Sequence, residues 1–263
     1  MVLETSDKRL LSQKNLAAGF AASGLITKLS DRCSKISEKL TDVDDLLEAL
    51  IGWTHELVGT AEIVNASERF YLDYGKVFHD DSFYDMRTTY FFDHFIFERK
   101  LSASSARAES LSGLTPCQLF MARAHTEVPA LPKEVNDTLE VLGNFRHSIF
   151  QIQRLSEKNM AIVDLLDSAK LTVQAKPREN FRGLEKKTIF QGFIFNLGNH
   201  HCLSSGLVLH PIKANRLIKK HIKLSLKNGT NRKNILPQLA NIQLRHLRHR
   251  HVHPKLIYQN TVG

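Results

Sequence analysis

The apolar residues of this chain change their spacing twice, and that constrains the fold more than any other feature. Before about residue 148 and again after residue 211 they recur at three and four, as on helix faces. Between 148 and 209 they come in short runs of β-branched and aromatic residues separated by turn chemistry. This order predicts an α+β protein in three parts. A mainly helical N-terminal body with an aromatic-rich zone occupies 1–147. A small antiparallel, barrel-like β module occupies 148–210. A basic helical hairpin and tail occupy 211–263. At 263 residues the chain suits one large domain or two modest ones. A composition of 42% hydrophobic and 24% charged residues excludes a wholly disordered chain, collagen or a disulfide miniprotein.

In the helical body, Thr41 and Asp42 are cap candidates for a helix running to Val58, with acids in its first turn where the helix dipole favours them. Val43, Leu46, Leu47, Leu50, Trp53 and Leu57 give it one apolar face. Thr115 followed by Pro116 starts another helix, and Leu131–Glu134 a further one. The uncharged run Asn15–Thr27 is too short to span a bilayer. Its four Ala and two Gly favour a closely packed helix over a cleaved signal. Cys33, Cys117 and Cys202 form no CxxC pair, which points to a reducing, cytoplasmic setting.

Eleven of the 21 aromatic residues fall in 70–97, interleaved with Asp73, Asp80, Asp81, Asp85, Asp93 and Glu98. Acidic neighbours repel phosphate, so this zone reads as core first and as a partner surface second. In the β region, strands are expected at Ser148–Leu155, Met160–Leu166, Leu171–Ala175, Thr188–Leu197 and Cys202–Leu209. Gly192 inside a strand suggests a bulge or a barrel corner.

Four segments, YFFDHFIFERKL (90–101), TPCQLF (115–120), HSIFQIQRL (147–155) and IVDLLDSAKLTV (162–173), together resemble a group of uncharacterised bacterial proteins. The resemblance implies the helical-then-β order and brings no activity or functional residues. Those proteins often carry Gly in the turn after Asp-Leu-Leu, where this chain has Ser168-Ala169-Lys170. Some carry a Cys-rich zinc-binding end, which this chain lacks.

Charge supplies the functional expectation. The net charge is +9, but from Pro211 onward there are seven Lys, five Arg and no Asp or Glu. Residues 1–210 then hold 24 basic and 27 acidic side chains, a net of −3. A mildly acidic body with a strongly basic end suggests a polyanionic partner. On Ile212–Lys227, Lys213, Arg216, Lys219, Lys220, Lys223 and Lys227 fall within roughly one third of the circumference. Ala214, Leu217, Ile218, His221 and Leu224 occupy an adjoining arc, Asn228-Gly229 ends the helix, and Pro237 opens a second one. Arg232, Lys233, Arg245, Arg248 and Arg250 lie beside the stripe.

The leading expectation is a non-catalytic, backbone-dominated nucleic-acid binder, RNA included, that needs no cofactor. The alternatives are an interaction module whose basic end docks on an acidic protein or anionic surface, and a metal-dependent enzyme. The third rests on His249, His251 and His253, which would share one face of a strand. Arg248 and Arg250 beside them disfavour a dication, and the histidines otherwise read as charge added at low pH. No GxSxG, Walker or GxGxxG motif is present.

Overall fold

The computed structural model describes residues 43–101, 113–127, 141, 143–175, 181, 183–196 and 200–259. The Asn15–Thr27 run, Cys33, the Thr41–Asp42 cap and the Leu131–Glu134 helix start lie outside them. The chain divides into two compact units, one of residues 1–66 with 94–143 and one of 67–93 with 144–263. The aromatic segment thus belongs largely with the β module and the basic end. No described helix is long and apolar enough to cross a membrane.

Helix α1 (Val43–Tyr74) is broken at Gly59, whose φ of 78° lies in the left-handed region. Helices α2 (Tyr84–Phe97) and α3 (Pro116–Glu127) follow. The start of α3 is as expected. Thr115 Oγ1 accepts from the Gln118 N–H at 3.2 Å, and Gln118 Oε1 accepts from the Thr115 N–H at 3.0 Å. This reciprocal capping satisfies two amides that the first turn leaves open. In the first unit Leu50, Ala66, Phe95, Ile96, Phe97, Leu101, Cys117, Leu119 and Phe120 are buried. Arg99 pairs with Glu62 at 3.0 Å.

The β region forms strands β1 (Phe145–Leu155), β2 (Asn159–Asp164), β3 (Lys170–Gln174), β4 (Ile189–Asn196), β5 (His201–Leu203) and β6 (Val208–His210). Their order is β1-β2-β3-β5-β4-β6, and β1 also pairs with β4. Five strands therefore close a small mixed barrel, with β6 added on β4. Closure removes the open sheet edges that five short strands would otherwise expose. One pairing departs from the antiparallel expectation: β3 and β5 run parallel, meeting at Val173 and His201. The final expected strand is also split in two around residues 204–207.

Alternation along β4 explains why all but its last residue is buried. Phe190 and Ile194 point into the barrel with Phe150, Ile152, Met160, Ile162 and Val173. Ile189, on the other face, joins Ile149 under the C-terminal helices. Phe193, also outward, stacks on His147 with ring centroids 4.1 Å apart. Both faces of the strand are covered, so it reads as a continuous apolar run. Gly192 is neither bulged nor at a break, since β1 and β4 keep register straight through Ser148↔Gly192. A Cβ there would lie 2.7 Å from Leu207 Cδ2, so the glycine lets the Leu207 side chain pack close against the strand. The bulge falls instead between Ile152 and Arg154 on β1.

The Asp-Leu-Leu turn is held by its buried aspartate. Asp164 accepts from Ser148 Oγ at 2.6 Å, from the Leu166 N–H at 2.9 Å and from Arg146 Nη1 at 3.1 Å. Ser168 takes φ 67°, the left-handed position that favours glycine.

After a 3-10 turn at Ile212–Ala214 come helices α4 (Asn215–Lys227), α5 (Arg232–Arg248) and α6 (Pro254–Gln259). They bury Ala214, Ile218, Ile222, Ile235, Leu236, Leu239, Ile242 and Tyr258 against Ile149 and Ile189. The basic end is therefore a packed helical layer of the second unit.

Candidate nucleic-acid interface

The 3-10 turn and helix α4 sit on the barrel through Ala214, Ile218 and Ile222, which are 0%, 0% and 3% exposed. At 100° per residue these three centre about 160° from the middle of the basic arc. The stripe is consequently turned to solvent, and Lys213, Arg216, Lys219, Lys220, Lys223 and Lys227 are all exposed. Among the described residues none of the six enters an ion pair.

The buried face is rotated from the one expected. Ile222 lies inside it, while Leu224 is 37% exposed and His221 only half-buried. An isoleucine gains more than an imidazole by leaving water, and Ile149 and Ile189 offer it an apolar seat. The stop at Asn228-Gly229 is as expected. Gly229 has φ 72°, its N–H donates to the Leu226 carbonyl, and the Thr230 N–H reaches the Ser225 carbonyl. This is the left-handed helix end that ties up the last carbonyls.

Helix α5 begins earlier than Pro237. Asn231 Oδ1 accepts from the Lys233 N–H at 3.0 Å and caps it, leaving Pro237 inside the helix. Proline there removes one donor to the carbonyl of Lys233, in the first turn of the helix. Lys233 and Arg245 are exposed and Arg232 is part-buried. Arg232 faces Asp167: burial opposes ionisation of that carboxyl, but the Ala169 N–H, Arg146 and Arg232 together hold it below its ordinary range.

Arg248 and Arg250 are bound within the molecule. Arg248 Nη2 donates to Asp81 Oδ2 at 2.9 Å and to the Lys76 carbonyl at 2.6 Å. Arg250 Nη2 donates to Ser82 Oγ at 3.0 Å. Both clamp the 76–82 loop onto the end of α5. Asp81 also accepts from the Phe78 N–H at 2.9 Å, and Asp85 lies in the first turn of α2. These aspartates serve as caps and loop anchors, whereas Asp93 is buried and accepts from Ser204 Oγ.

The histidines do not gather. Residues 249–252 form turns, so His249, His251 and His253 do not share a strand face. The His249 and His251 rings lie 6.1 Å apart. Among the described residues no three His, Cys, Asp or Glu side chains are placed to hold a metal ion. Nor do all histidines add charge as pH falls. Burial pushes the imidazoles of His221 and His246 below their ordinary value.

Sequence reading missed two buried polar groups. Arg87 is 3% exposed, and its Nη2 donates to Gln243 Oε1 and to the Ala240 carbonyl. Burial lowers its pKa to about 10. The second is a line of side chains between the aromatic segment and α6. The Tyr90 hydroxyl lies 2.6 Å from His147 Nε2 and donates to Gln191 Oε1 at 3.3 Å. Gln191 Nε2 lies 3.1 Å from His210 Nε2, and His210 Nδ1 lies 2.8 Å from the Tyr258 hydroxyl. With the Gln191 amide donating, His210 is neutral with its proton on Nδ1. Burial, with Arg87 and His246 nearby, drops its pKa to about 3. Burial likewise raises the Tyr258 phenol. Closed to solvent, this network fixes packing. The signal available in sequence was polar His147, Gln191 and His210 in strands otherwise built of apolar residues.

No known protein family, curated protein or solved structure matches the chain.

Proposed function

We propose that the protein is a non-catalytic nucleic-acid-binding protein, with RNA among its ligands, acting through the exposed face of α4 and the adjoining cations of α5. The observation that carries this reading is the stripe of six cations, five on α4 and Lys213 in the 3-10 turn before it, on the side opposite the buried face. A helix that seats firmly on a barrel presents such a stripe without an ordering cost on binding. Lysines spaced along a helix neutralise successive phosphates and release condensed counterions, which gives affinity without base recognition. Lys233 and Arg245 extend the charge, while Arg248 and Arg250 are committed to the 76–82 loop.

The test is titration of the protein into a labelled mixed-sequence RNA and an equivalent DNA duplex, at low and at physiological salt. Binding with a steep salt slope supports the reading, and no binding even at low salt overturns it. A second reading has one observation in its favour. The same basic end already grips a carboxylate through Arg248 and Asp81, a mode that would also suit an acidic protein surface. That reading expects binding of an acidic protein and none of RNA or DNA at either salt concentration.

A further inference from the structure

Of the eleven aromatic side chains in 70–97, Phe78 alone is exposed, at 48%. Its neighbours in sequence behave differently: Val77 and Phe83 are buried and pack with Leu244, Leu247 and Tyr84. Phe78 is left out of that cluster, yet its loop is not loose. Asp81 Oδ2 receives the Phe78 N–H, Arg248 holds the Lys76 carbonyl and Asp81, and Arg250 holds Ser82. The ring is therefore held outward on a pinned loop instead of folding back onto the core. Two cations stand over it, Arg248 Cζ at 5.1 Å and Lys76 Nζ at 5.5 Å from the ring centroid. Arg245, His249 and His251, all exposed, follow on the same end of α5 and the turn after it. The Asp81 carboxylate that would oppose phosphate is taken by Arg248, which leaves Asp80 as the exposed acid of the 76–82 loop.

An exposed, fixed aromatic ring bordered by cations is the arrangement that binds unpaired nucleobases. The ring stacks on a base and exposed Lys76 meets a flanking phosphate, while Arg248 stays on Asp81 and holds the loop. A base inside a duplex has both faces covered and cannot use it. We infer that Phe78 is a stacking platform for an unpaired base, so that the ligand is single-stranded nucleic acid. This rests on the nucleic-acid reading above and narrows it to a strand class.

The test uses the full chain, a short single-stranded RNA carrying 2-aminopurine and the corresponding RNA duplex. The wild type should quench the 2-aminopurine. Phe78→Ala should weaken single-strand binding about tenfold, abolish the quenching and leave duplex affinity unchanged, since stacking on one ring is worth that much per base. Phe78→Trp should restore both affinity and quenching. Because the side chain lies outside the core, the melting temperature serves as the folding control. Single-strand affinity unchanged in Phe78→Ala, or lost equally for strand and duplex, overturns the platform. Salt-steep binding of duplex with no affinity for single strand overturns the platform while leaving the wider reading intact. Binding of neither form at low salt overturns both.

Discussion

The Arg87 guanidinium lies 2.6 Å from Gln243 Oε1, and the same amide turns its Nε2 to the Leu209 carbonyl at 2.8 Å. One glutamine thereby ties α2, α5 and β6 together around a buried positive charge. Among the described residues no carboxylate pairs with Arg87, so its charge is carried by neutral acceptors alone. Such a group is costly to strand, because an uncompensated charge in the interior loses its hydration. Gln243→Leu should cost about 3 kcal/mol in urea denaturation. Adding Arg87→Met to that variant should cost less than the two single losses summed, since the charge is then gone. Additive losses would show that the two side chains act separately.

His210 sets a pH dependence whose sign follows from its burial. Its folded pKa is about 3, against about 6.5 for an unperturbed imidazole. Between those values the unfolded chain binds a proton that the folded one refuses, so stability rises with pH through the window. The contribution is full above about pH 6.5 and is lost progressively as pH falls towards 3, by the order of a few kcal/mol. Thermal melts from pH 7 to pH 4 should show a shallower decline in His210→Asn than in the wild type, although the variant starts lower. Equal slopes would mean that the imidazole is accessible to protons in the fold.

The element order, the Thr115 cap, the Gly229 stop and the solvent-facing stripe on α4 were legible because each depends on residues close in sequence. Helical period, cap chemistry and the left-handed glycine act within one or two turns. Pro237 misled because proline is common at a first helical position, yet Asn231 offers the stronger cap six residues earlier. The orientation of α4 required knowing that Ile149 and Ile189 lie beneath it, on strands more than twenty residues away. The fates of Arg248 and Arg250 were equally hidden. Their partners sit 167 and 168 residues upstream, and no local pattern brings those residues together. The parallel β3–β5 contact is a consequence of barrel closure, which no single strand records.

Two glycines of the second unit should respond very differently to a single methyl group. At Gly206 a Cβ would lie 2.5 Å from Asp93 Oδ2 and 2.7 Å from both N and Cα of Tyr90. Backbone cannot step aside, and the Asp93–Ser204 bond is in the way, so Gly206→Ala should cost about 3 kcal/mol. At Gly192 the nearest atom is the end of the Leu207 side chain, which can rotate. Gly192→Ala should cost about 1 kcal/mol. Chemical denaturation of both variants checks the order, and a Gly192→Ala loss as large as that of Gly206→Ala would mean that Leu207 has nowhere to go.

The stripe on α4 makes a quantitative claim about salt. If Lys219, Lys220 and Lys223 each neutralise one phosphate, replacing all three by Glu removes at least three released counterions. The slope of log affinity against log salt concentration should then become shallower by about 2 for single strands. Affinity at low salt should fall by more than a hundredfold, at roughly 1 kcal/mol or more per contact. All three side chains are exposed and, among the described residues, paired with no carboxylate, so the melting temperature should hold within a degree or two. Fluorescence anisotropy across a salt series on wild type and triple variant supplies both slopes. Parallel lines would place the phosphate contacts elsewhere, and the exposed cations of α5, Lys233 and Arg245, would be the next to reverse.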